Sequence, residues 1–385
     1  MKPLTLPLPA DALIVGLEST CDETSCAVVA GGRRVVSNVV ATQIDLHQRF
    51  GGVVPEIASR AHLEAVNTVM AEAFERAGLD PSQVAGVAVA NRPGLIGSLL
   101  VGLMAAKTLA WAWDVPLVGA NHIHAHGYSP ALDDEPIEYP AVAMVASGGH
   151  TSLYHARSAI ELELLGSTTD DAAGEAFDKV AAILGLPYPG GPNVDKAART
   201  GDPKAIKFPR ALLKGQSLDF SFSGLKTAVL YHVQGVPGGR REKVQRGVAQ
   251  PPSAVGEGAS GAGRGLAPGA IKDRMAGAPE LTSAQIADIA ASFQAALVDT
   301  LRIKIRRAVT ATGAKSLIIG GGVAANSALR AMVQELGEKL RLQVRMPPMK
   351  YCGDNAAMIA GLAWHLFNSG QQDSLEVECT ATVRK

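Results

Sequence analysis

The sequence contains few aromatic and cysteine residues and has no excess of either charge. Phe, Trp and Tyr make up 4% of the 385 residues, too few for an aromatic surface on which nucleic-acid bases stack. The 36 Lys and Arg residues balance the 36 Asp and Glu residues, so no global basic field attracts RNA or an anionic membrane. Four cysteines without a zinc-ribbon or disulfide spacing indicate reduced thiols and predict a cytoplasmic protein.

Targeting and membrane segments are not predicted either. The first residues include one Lys and a short apolar strand but no cleavable hydrophobic region, and no run of ~18 uninterrupted apolar residues occurs. The sequence therefore predicts a protein that is neither secreted nor membrane-spanning. A 47% hydrophobic content over this length is enough to bury two sizeable cores, which predicts two lobes.

The order of apolar runs predicts an α/β fold that is repeated once. β-branched runs over residues 13–17, 24–30 and 33–40 predict a three-stranded antiparallel start, followed by an α/β unit up to residue 118. A second cycle begins with strands over 141–146 and 151–154. Further elements are predicted as helices over 59–77, 98–113, 171–184, 223–233, 283–312, 324–336 and 355–368, and as strands over 84–90, 117–118 and 316–320.

Two halves that each start with strands predict a duplicated fold with a cleft between the lobes. We expect lobe one to comprise residues 1–119 and 350–385 and lobe two residues 120–349. Residues 235–280, rich in Gly, Ala, Pro and Arg, predict a disordered insertion within lobe two. Its basic residues could contact RNA, but the composition favours a solvated surface loop.

Three histidines lie close together at residues 122–126. On a helix, His122 and His126 share one face and could bind one cation, whereas on a strand all three histidines would share a face. The alternative is a polar helix start with solvated histidines. Two histidines need a third ligand before they define a metal site.

Asp354 is the candidate third ligand, at the point where a loop enters a predicted helix. The alternative is that Asp354 only caps that helix, a role in which Asp is common. Two histidines and one carboxylate with open positions suit Fe(II) and are also acceptable to Zn(II). Open positions on such a metal indicate Lewis-acid chemistry.

Glycine-rich turns at 145–149, 189–192 and 320–323 favour a nucleotide-binding cleft, although tight turns need glycine in any case. Acidic residues accompany them: Asp171, Glu175 and Asp178 have helical spacing and are predicted to share one face. Such a face is usually solvated, but an acid directed into the cleft could bind a ribose hydroxyl or an ammonium group. Asp22 and Glu23, after the first strand, could orient a metal, a water or an attacking amine, or simply form an exposed acidic turn.

Several known nucleotide and metal motifs are missing. The sequence has no Gly-Lys-Ser/Thr phosphate loop and no dehydrogenase fingerprint followed by a ribose-binding acid. A metallopeptidase centred on His122 is disfavoured because Ile123 occupies the position of the expected glutamate.

Taken together, the motifs resemble those of the tRNA N6-adenosine threonylcarbamoyltransferase family. The resemblance runs from about residue 12 to 368, apart from the insertion, and rests on His122, His126, Asp354, Asn355 and residues 18–24, 51–56, 147–150, 171–179, 188–192, 220–226 and 321–326. It departs at Arg92, where the family typically has a small residue, and at the tail over 374–385.

The resemblance implies a two-lobed actin-like ATPase fold, shared with sugar kinases and heat-shock ATPases. It implies transfer of the threonylcarbamoyl group from threonylcarbamoyl-adenylate to N6 of the adenosine beside the anticodon, in tRNAs that read codons beginning with A. It further implies that the chain works with a paralogous subunit and a small ATPase. An ATP-dependent kinase or ATPase of the same fold is the alternative, which leaves the histidine pair without a role.

The resemblance also implies specific site residues. His122, His126 and Asp354 would hold one divalent metal, usually Fe(2+), with Zn(2+) as the other candidate. The adenylate would bind to nine positions: Val145, Ala146, Ser147, Gly148, Gly149, Asp178, Gly191, Asp195 and Asn326. Asp22 and Glu23 are the candidates for taking the proton of the attacking amine.

Overall fold

The structure is a computed structural model that describes residues 4–211, 215–235 and 280–382. The predicted insertion over 235–280 therefore lies almost entirely outside the described residues. The first half of the chain forms a five-stranded sheet of order β3-β2-β1-β4-β5. Its strands are β1 (Leu13–Glu18), β2 (Glu23–Ala30), β3 (Arg34–Thr42), β4 (Val84–Arg92) and β5 (Leu117–Asn121). The first three strands pair antiparallel, as predicted, and β4 and β5 continue the sheet in parallel.

The second half repeats this arrangement. Its sheet has the order β8-β7-β6-β9-β10, with three antiparallel strands followed by two parallel ones. Its strands are β6 (Ala141–Ala146), β7 (Thr151–Ala156), β8 (Leu162–Ser167), β9 (Ser316–Gly320) and β10 (Gln343–Arg345). The predicted duplication of an α/β unit is confirmed.

Helices flank both sheets. They are α1 (Ile44–Gln48), α2 (Pro55–Ala77), α3 (Ile96–Trp113), α4 (His122–Tyr128), α5 (Ala173–Ile183), α6 (Gly190–Ala198), α7 (Ser223–Gln234), α8 (Ser283–Thr312), α9 (Ser327–Leu340) and α10 (Ala356–Asn368). Local signals set several of their ends. The side chain of Thr282 caps α8, and Gly78 and Gly313 end α2 and α8 in the left-handed conformation.

Two helices and both sheets share one apolar core. Ile14 and Ala88 of the first sheet and Ala143 and Ile318 of the second belong to the same buried cluster, together with Met358 of α10. Helix α10 packs against β1 and α4, and α4 packs against β6 and β9. Both helices therefore lie where the two halves of the molecule meet. The division into lobes at 119/120 and 349/350 remains a prediction.

Four elements escaped the sequence prediction: the short helix α1, strands β8 and β10, and helix α6. Strand β8 is an edge strand with half of its residues exposed or polar, and β10 has only three residues. Helix α6 begins with Gly190, Gly191 and Pro192, which the sequence pattern assigns to a turn. Proline is nevertheless tolerated in the first turn of a helix, because the first backbone N–H groups have no partner within the helix.

Helix α3 is, within the described residues, long and apolar enough by length and composition to cross a membrane. Its inner face, with Leu99, Leu103, Ala106 and Ala110, is buried, and the helix packs against β4 and α2. This packing is that of a core helix in a folded α/β unit. Its outer face remains exposed.

Acidification is expected to destabilise the fold through His365 of α10. Burial and the nearby Arg33 charge lower the pKa of His365 to about 4, and its Nε2 lies 2.9 Å from the Tyr128 hydroxyl. The unfolded chain, with a His pKa of about 6.5, then binds the proton more tightly than the folded chain. The free energy of unfolding should therefore fall as the pH falls from about 6.5 towards 4, by roughly 1–2 kcal/mol for this residue at pH 5.

Urea denaturation at pH 7 and pH 5 measures this loss. His365→Gln keeps a polar partner for Tyr128 but does not titrate, so it should show the shallower pH dependence. If the free energy of unfolding depends equally on pH in the two proteins, His365 is not the group responsible for the loss.

Candidate metal centre and substrate cleft

The histidine pair lies on helix α4, which begins directly after β5. The Asn121 side chain accepts hydrogen bonds from the backbone N–H groups of Ile123 and His124 and so caps this helix. Of the two alternatives, helix or strand, the structure has the helix. The rings of His122 and His126 lie one turn apart, with centroids 4.6 Å from each other, and both residues are buried.

Asp354 completes the group. Its Oδ1 lies 3.0 Å from Nε2 of His126 and 3.6 Å from Nε2 of His122. The neighbouring Asn355, not Asp354, caps α10, because its side chain accepts from the backbone N–H of Met358. The interpretation of Asp354 as a helix cap is wrong, and its carboxylate is directed to the histidines.

The three residues fit a divalent metal. One potential ligand atom from each lies within 4.8 Å of the others, and two nitrogens with one carboxylate oxygen suit Fe(II) or Zn(II). Burial opposes a charge on His122, but Glu18 and Asp354 raise its pKa to about 9. Burial likewise opposes the Asp354 carboxylate, but His122 and His126 lower its pKa below the usual range. The carboxylates of Glu18 and Asp354 thus favour a positive charge at the histidines, and a bound cation would supply that charge instead.

The acidic pair after β1 lies near this group. Asp22 is buried, and its backbone oxygen accepts from the N–H of Gln43. Glu23 is the first residue of β2, and its Oε1 accepts a hydrogen bond from the Thr42 hydroxyl at 3.2 Å. Burial and the charges of Asp354 and Asp22 raise the pKa of Glu23 well above its usual value. The pair therefore lies beside the histidine and Asp354 group and is not an exposed acidic turn.

The predicted substrate turn joins β6 to β7. Val145 and Ala146 end β6, and the backbone N–H of Ser147 donates to the carbonyl of His150. Gly148 and Gly149 form the open tip, since no heavy atom lies within 4 Å of a Cβ placed on either. The start of α5 supports the turn from below, because the N–H of Gly174 donates to the carbonyl of Ser147.

The other four predicted substrate residues lie in two separate pairs, Asp178 with Gly191 and Asp195 with Asn326. Asp178 Oδ1 accepts from the N–H of Gly190, next to Gly191, and burial raises the pKa of Asp178 to about 6. Asp195 Oδ1 accepts from the backbone N–H and hydroxyl of Ser327. Asn326, beside Ser327, donates to Gln294 of α8 and caps α9.

The acids before α5 do not share a helix face with Glu175 and Asp178. Helix α5 begins at Ala173, so Asp170 and Asp171 precede it. Asp170 accepts from the backbone N–H groups and hydroxyls at the start of α7, including those of Ser223. Asp171 is buried between two lysines instead of being directed into a cleft.

Sequence reasoning missed four polar groups of the site and its support. Three of them have partners far away along the chain, and the fourth, Lys179, reaches back eight residues to a partner that lies before the helix. They are Glu18 behind His122, Gln294 behind Asn326, and the two lysines that hold Asp171, Lys179 and Lys226.

Gly320, at the end of β9, is expected to be essential for the metal centre. A Cβ at this position would collide with the backbone oxygen and carbon of His126, so alanine must displace that candidate ligand. Gly320→Ala should therefore lose bound metal. Gly322→Ala is the matched control, because no heavy atom lies within 4 Å of its Cβ position. Metal content per chain measures the difference, and full occupancy in Gly320→Ala would contradict it.

Comparison with known proteins finds a family model and relatives that carry the same name. The family model for tRNA N6-adenosine threonylcarbamoyltransferase matches residues 34–361. A protein of that name from Symbiobacterium thermophilum is 46% identical over 368 residues, covering 96% of this chain and 95% of the relative. Another, from Moorella thermoacetica, is 46% identical over 363 residues, covering 94% and 93%.

Among solved structures, the chain is similar in fold to full-length HypF in its phosphate- and nucleotide-bound form. The TM-score is 0.54 at 13% sequence identity, and the alignment covers 99% of this chain and 48% of HypF. HypF from T. kodakarensis gives a TM-score of 0.52 at 14% identity, covering 95% and 49%. With its duplicated sheets, the chain has the actin-like ATPase fold.

Proposed function

The chain belongs to the tRNA N6-adenosine threonylcarbamoyltransferase family, and from this membership we propose how its site performs the reaction. The enzyme transfers the threonylcarbamoyl group from threonylcarbamoyl-adenylate to N6 of the adenosine beside the anticodon, in tRNAs reading codons that begin with A. The N6 nitrogen forms a bond to the carbamoyl carbon, the bond from that carbon to the phosphate oxygen breaks, and AMP leaves. N6 loses one proton.

His122, His126 and Asp354 hold the divalent metal in this proposal. The proposal is supported by their close donor atoms and by the burial of both histidines. A metal bound there would supply Lewis acidity at the carbamoyl carbonyl, which matters because the attacking adenine amine, with its delocalised lone pair, is a poor nucleophile. Fe(2+) is the proposed metal and Zn(2+) the alternative, since both accept two imidazoles and one carboxylate.

The turn formed by residues 145–149 binds the phosphate of the adenylate. Its open glycine tip lets backbone N–H groups approach an anion without a side chain in between. Asp178 with Gly191, and Asp195 with Asn326, bind the rest of the adenylate on the α5, α6 and α9 side. Carboxylate and amide oxygens are suited to ribose hydroxyls and adenine amines.

Glu23 takes the proton from the attacking amine in this proposal, and Asp22 positions it. A raised pKa makes the Glu23 carboxyl a stronger base than an ordinary carboxylate, and the charge of Asp354 reaches it. Single-turnover transfer at saturating adenylate separates the two acids. Glu23→Gln should lower the rate of the chemical step more than Asp22→Asn does; the reverse order would assign the base to Asp22.

The function is tested by supplying labelled threonylcarbamoyl-adenylate and a cognate tRNA to the purified chain with its partner subunits. Label should appear on N6 of the adenosine, with one AMP released per modified tRNA. ATP and tRNA without the adenylate should give no modified base. Phosphorylation of a small molecule with unmodified tRNA would instead indicate a kinase of this fold.

A tRNA substrate does not require a basic protein if other subunits help to hold it, and this chain is neutral overall. We propose that a paralogous subunit docks on the outer face of α2 and α3, that a small ATPase joins the assembly, and that the assembly works in the cytoplasm. The face carries large exposed apolar side chains in one stripe of α3 with one neighbour on α2: Ile96, Leu100, Met104, Trp111 and Leu63.

Disruption of this face tests the docking proposal. Met104→Glu with Trp111→Glu should abolish co-elution with the paralogous subunit, while the metal content of the chain stays unchanged. Leu164→Glu is the control, because Leu164 is also exposed but lies on β8 of the other half. Co-elution that survives the double substitution would place the interface elsewhere.

A further inference from the structure

Glu18 lies directly behind one of the proposed metal ligands. It is the last residue of β1 and is 1% exposed. Both oxygens of its carboxyl group have a partner. Oε1 accepts from the backbone N–H of Thr20 at 2.6 Å, and Oε2 lies 2.9 Å from Nδ1 of His122.

This contact determines which nitrogen of His122 faces the ligand group. A carboxylate can only accept, so Nδ1 must carry the hydrogen, and Nε2 of the neutral ring keeps its lone pair. Nε2 is the atom that faces Asp354, at 3.6 Å. The Thr20 hydroxyl also approaches Nδ1, at 3.3 Å, which is a weaker contact than that of Glu18.

The two histidines differ in this respect. Nδ1 of His126 is buried and has no hydrogen-bond partner within the described residues. Within the described residues, of the two proposed imidazole ligands only His122 therefore has a carboxylate on its Nδ1 side. The affinity of the site for a metal should therefore depend on the contact between Glu18 and His122.

The segment that presents Glu18 is anchored independently of the histidine. β1 is the central strand of the first sheet. The Ser19 hydroxyl donates to the backbone oxygen of Ser98 and accepts from the N–H of Gly102, both on α3. Glu18 thus approaches His122 from a fixed position instead of following the ring.

We infer that Glu18 is a positioning residue of the metal centre, which holds His122 in the Nδ1–H form with Nε2 directed at the metal. The inference rests on the proposed function for the presence of a metal at His122, His126 and Asp354. Second carboxylates of this kind usually change metal affinity by about 10- to 100-fold. Glu18 itself is not a ligand, since His122 lies between it and Asp354.

Glu18→Gln is the informative variant because glutamine has the same shape but one donor end. The amide oxygen can satisfy either Thr20 N–H or His122 Nδ1–H, and the NH₂ group then faces the other donor. If the NH₂ faces His122, the hydrogen of the ring must move to Nε2, which closes the ligand position. We expect Fe(2+) and Zn(2+) to bind about 10- to 100-fold more weakly, with an altered visible spectrum of the Co(2+)-loaded protein.

Ser19→Ala is the matched control. It loosens the same segment from α3 without touching His122, so it should leave the metal dissociation constant within threefold of the unsubstituted chain. An equal loss of affinity in Ser19→Ala would show that the segment, and not the carboxylate, is responsible. Unchanged affinity in both Glu18→Gln and Glu18→Ala, the second of which removes the acceptor in any orientation, would overturn the inference outright.

Nitrogen NMR of the metal-free full-length chain tests the same inference without a variant. The spectrum of ¹⁵N-histidine-labelled protein at a pH where His122 is neutral should show it in the Nδ1–H form. An Nε2–H form would overturn the inference even if metal binds. Stoichiometric metal that persists in His126→Ala would instead refute the proposed metal site, so the two failures are distinguishable.

Discussion

Replacing Asp354 with alanine should remove the bound metal and slow threonylcarbamoyl transfer by about a hundredfold or more. The carboxylate is the only acidic group that the described structure places against both His122 and His126. Without it, only two imidazoles of the proposed set remain, too few ligands to hold the metal firmly. Loss of a Lewis acid from the transition state costs several kcal/mol, which sets the expected size of the rate effect.

The measurement combines metal content per chain with single-turnover transfer from the adenylate. His126→Ala should match Asp354→Ala in both readouts, because the two residues serve one site. Asp299→Ala is the control, since this aspartate pairs with Arg210 and Arg302 and not with the histidines. An Asp354→Ala protein with full metal and ordinary transfer would mean that the ligand set is wrong.

The fold was largely predictable because its local signals agree with its packing. Helix α8 has the predicted bounds, since Thr282 caps its start and Gly313 supplies the left-handed residue at its end. Strand β8 was missed because an edge strand buries few side chains and leaves no clear alternation. Helix α6 was missed because its Gly-Gly-Pro start is also the composition of a turn.

The site was predictable where the signals are local. Asn121 is a strong helix cap, and it favours the helical reading of the histidines that spacing alone leaves open. The sequence leaves two roles open for Asp354, metal ligand or helix cap. The structure excludes the cap because the next residue, Asn355, makes it. Glu18 and His122 are 104 residues apart, so no periodicity could have predicted their contact.

The prediction for Asp171 was wrong because residue spacing does not show where a helix begins. Helical spacing assigned it to the face of Glu175 and Asp178, but the helix begins two residues later, at Ala173. Asp171 Oδ1 lies 2.7 Å from Nζ of Lys179, and its Oδ2 lies 2.9 Å from Nζ of Lys226. The carboxylate therefore joins α5 to α7.

Asp171→Ala is expected to lower the free energy of unfolding by about 3–5 kcal/mol, the usual loss when one partner of a buried ion pair is removed. The side chain of Lys179 is 3% exposed, and within the described part of the chain only Glu175, at 2.7 Å and 39% exposed, would remain to balance it. Glu175→Ala removes the solvated partner of the same lysine and should cost at most about 1 kcal/mol. Urea denaturation of the two variants at pH 7 compares them directly. Equal losses would mean that the aspartate is not the buried centre of this network, and that a direct role in the cleft must be considered again.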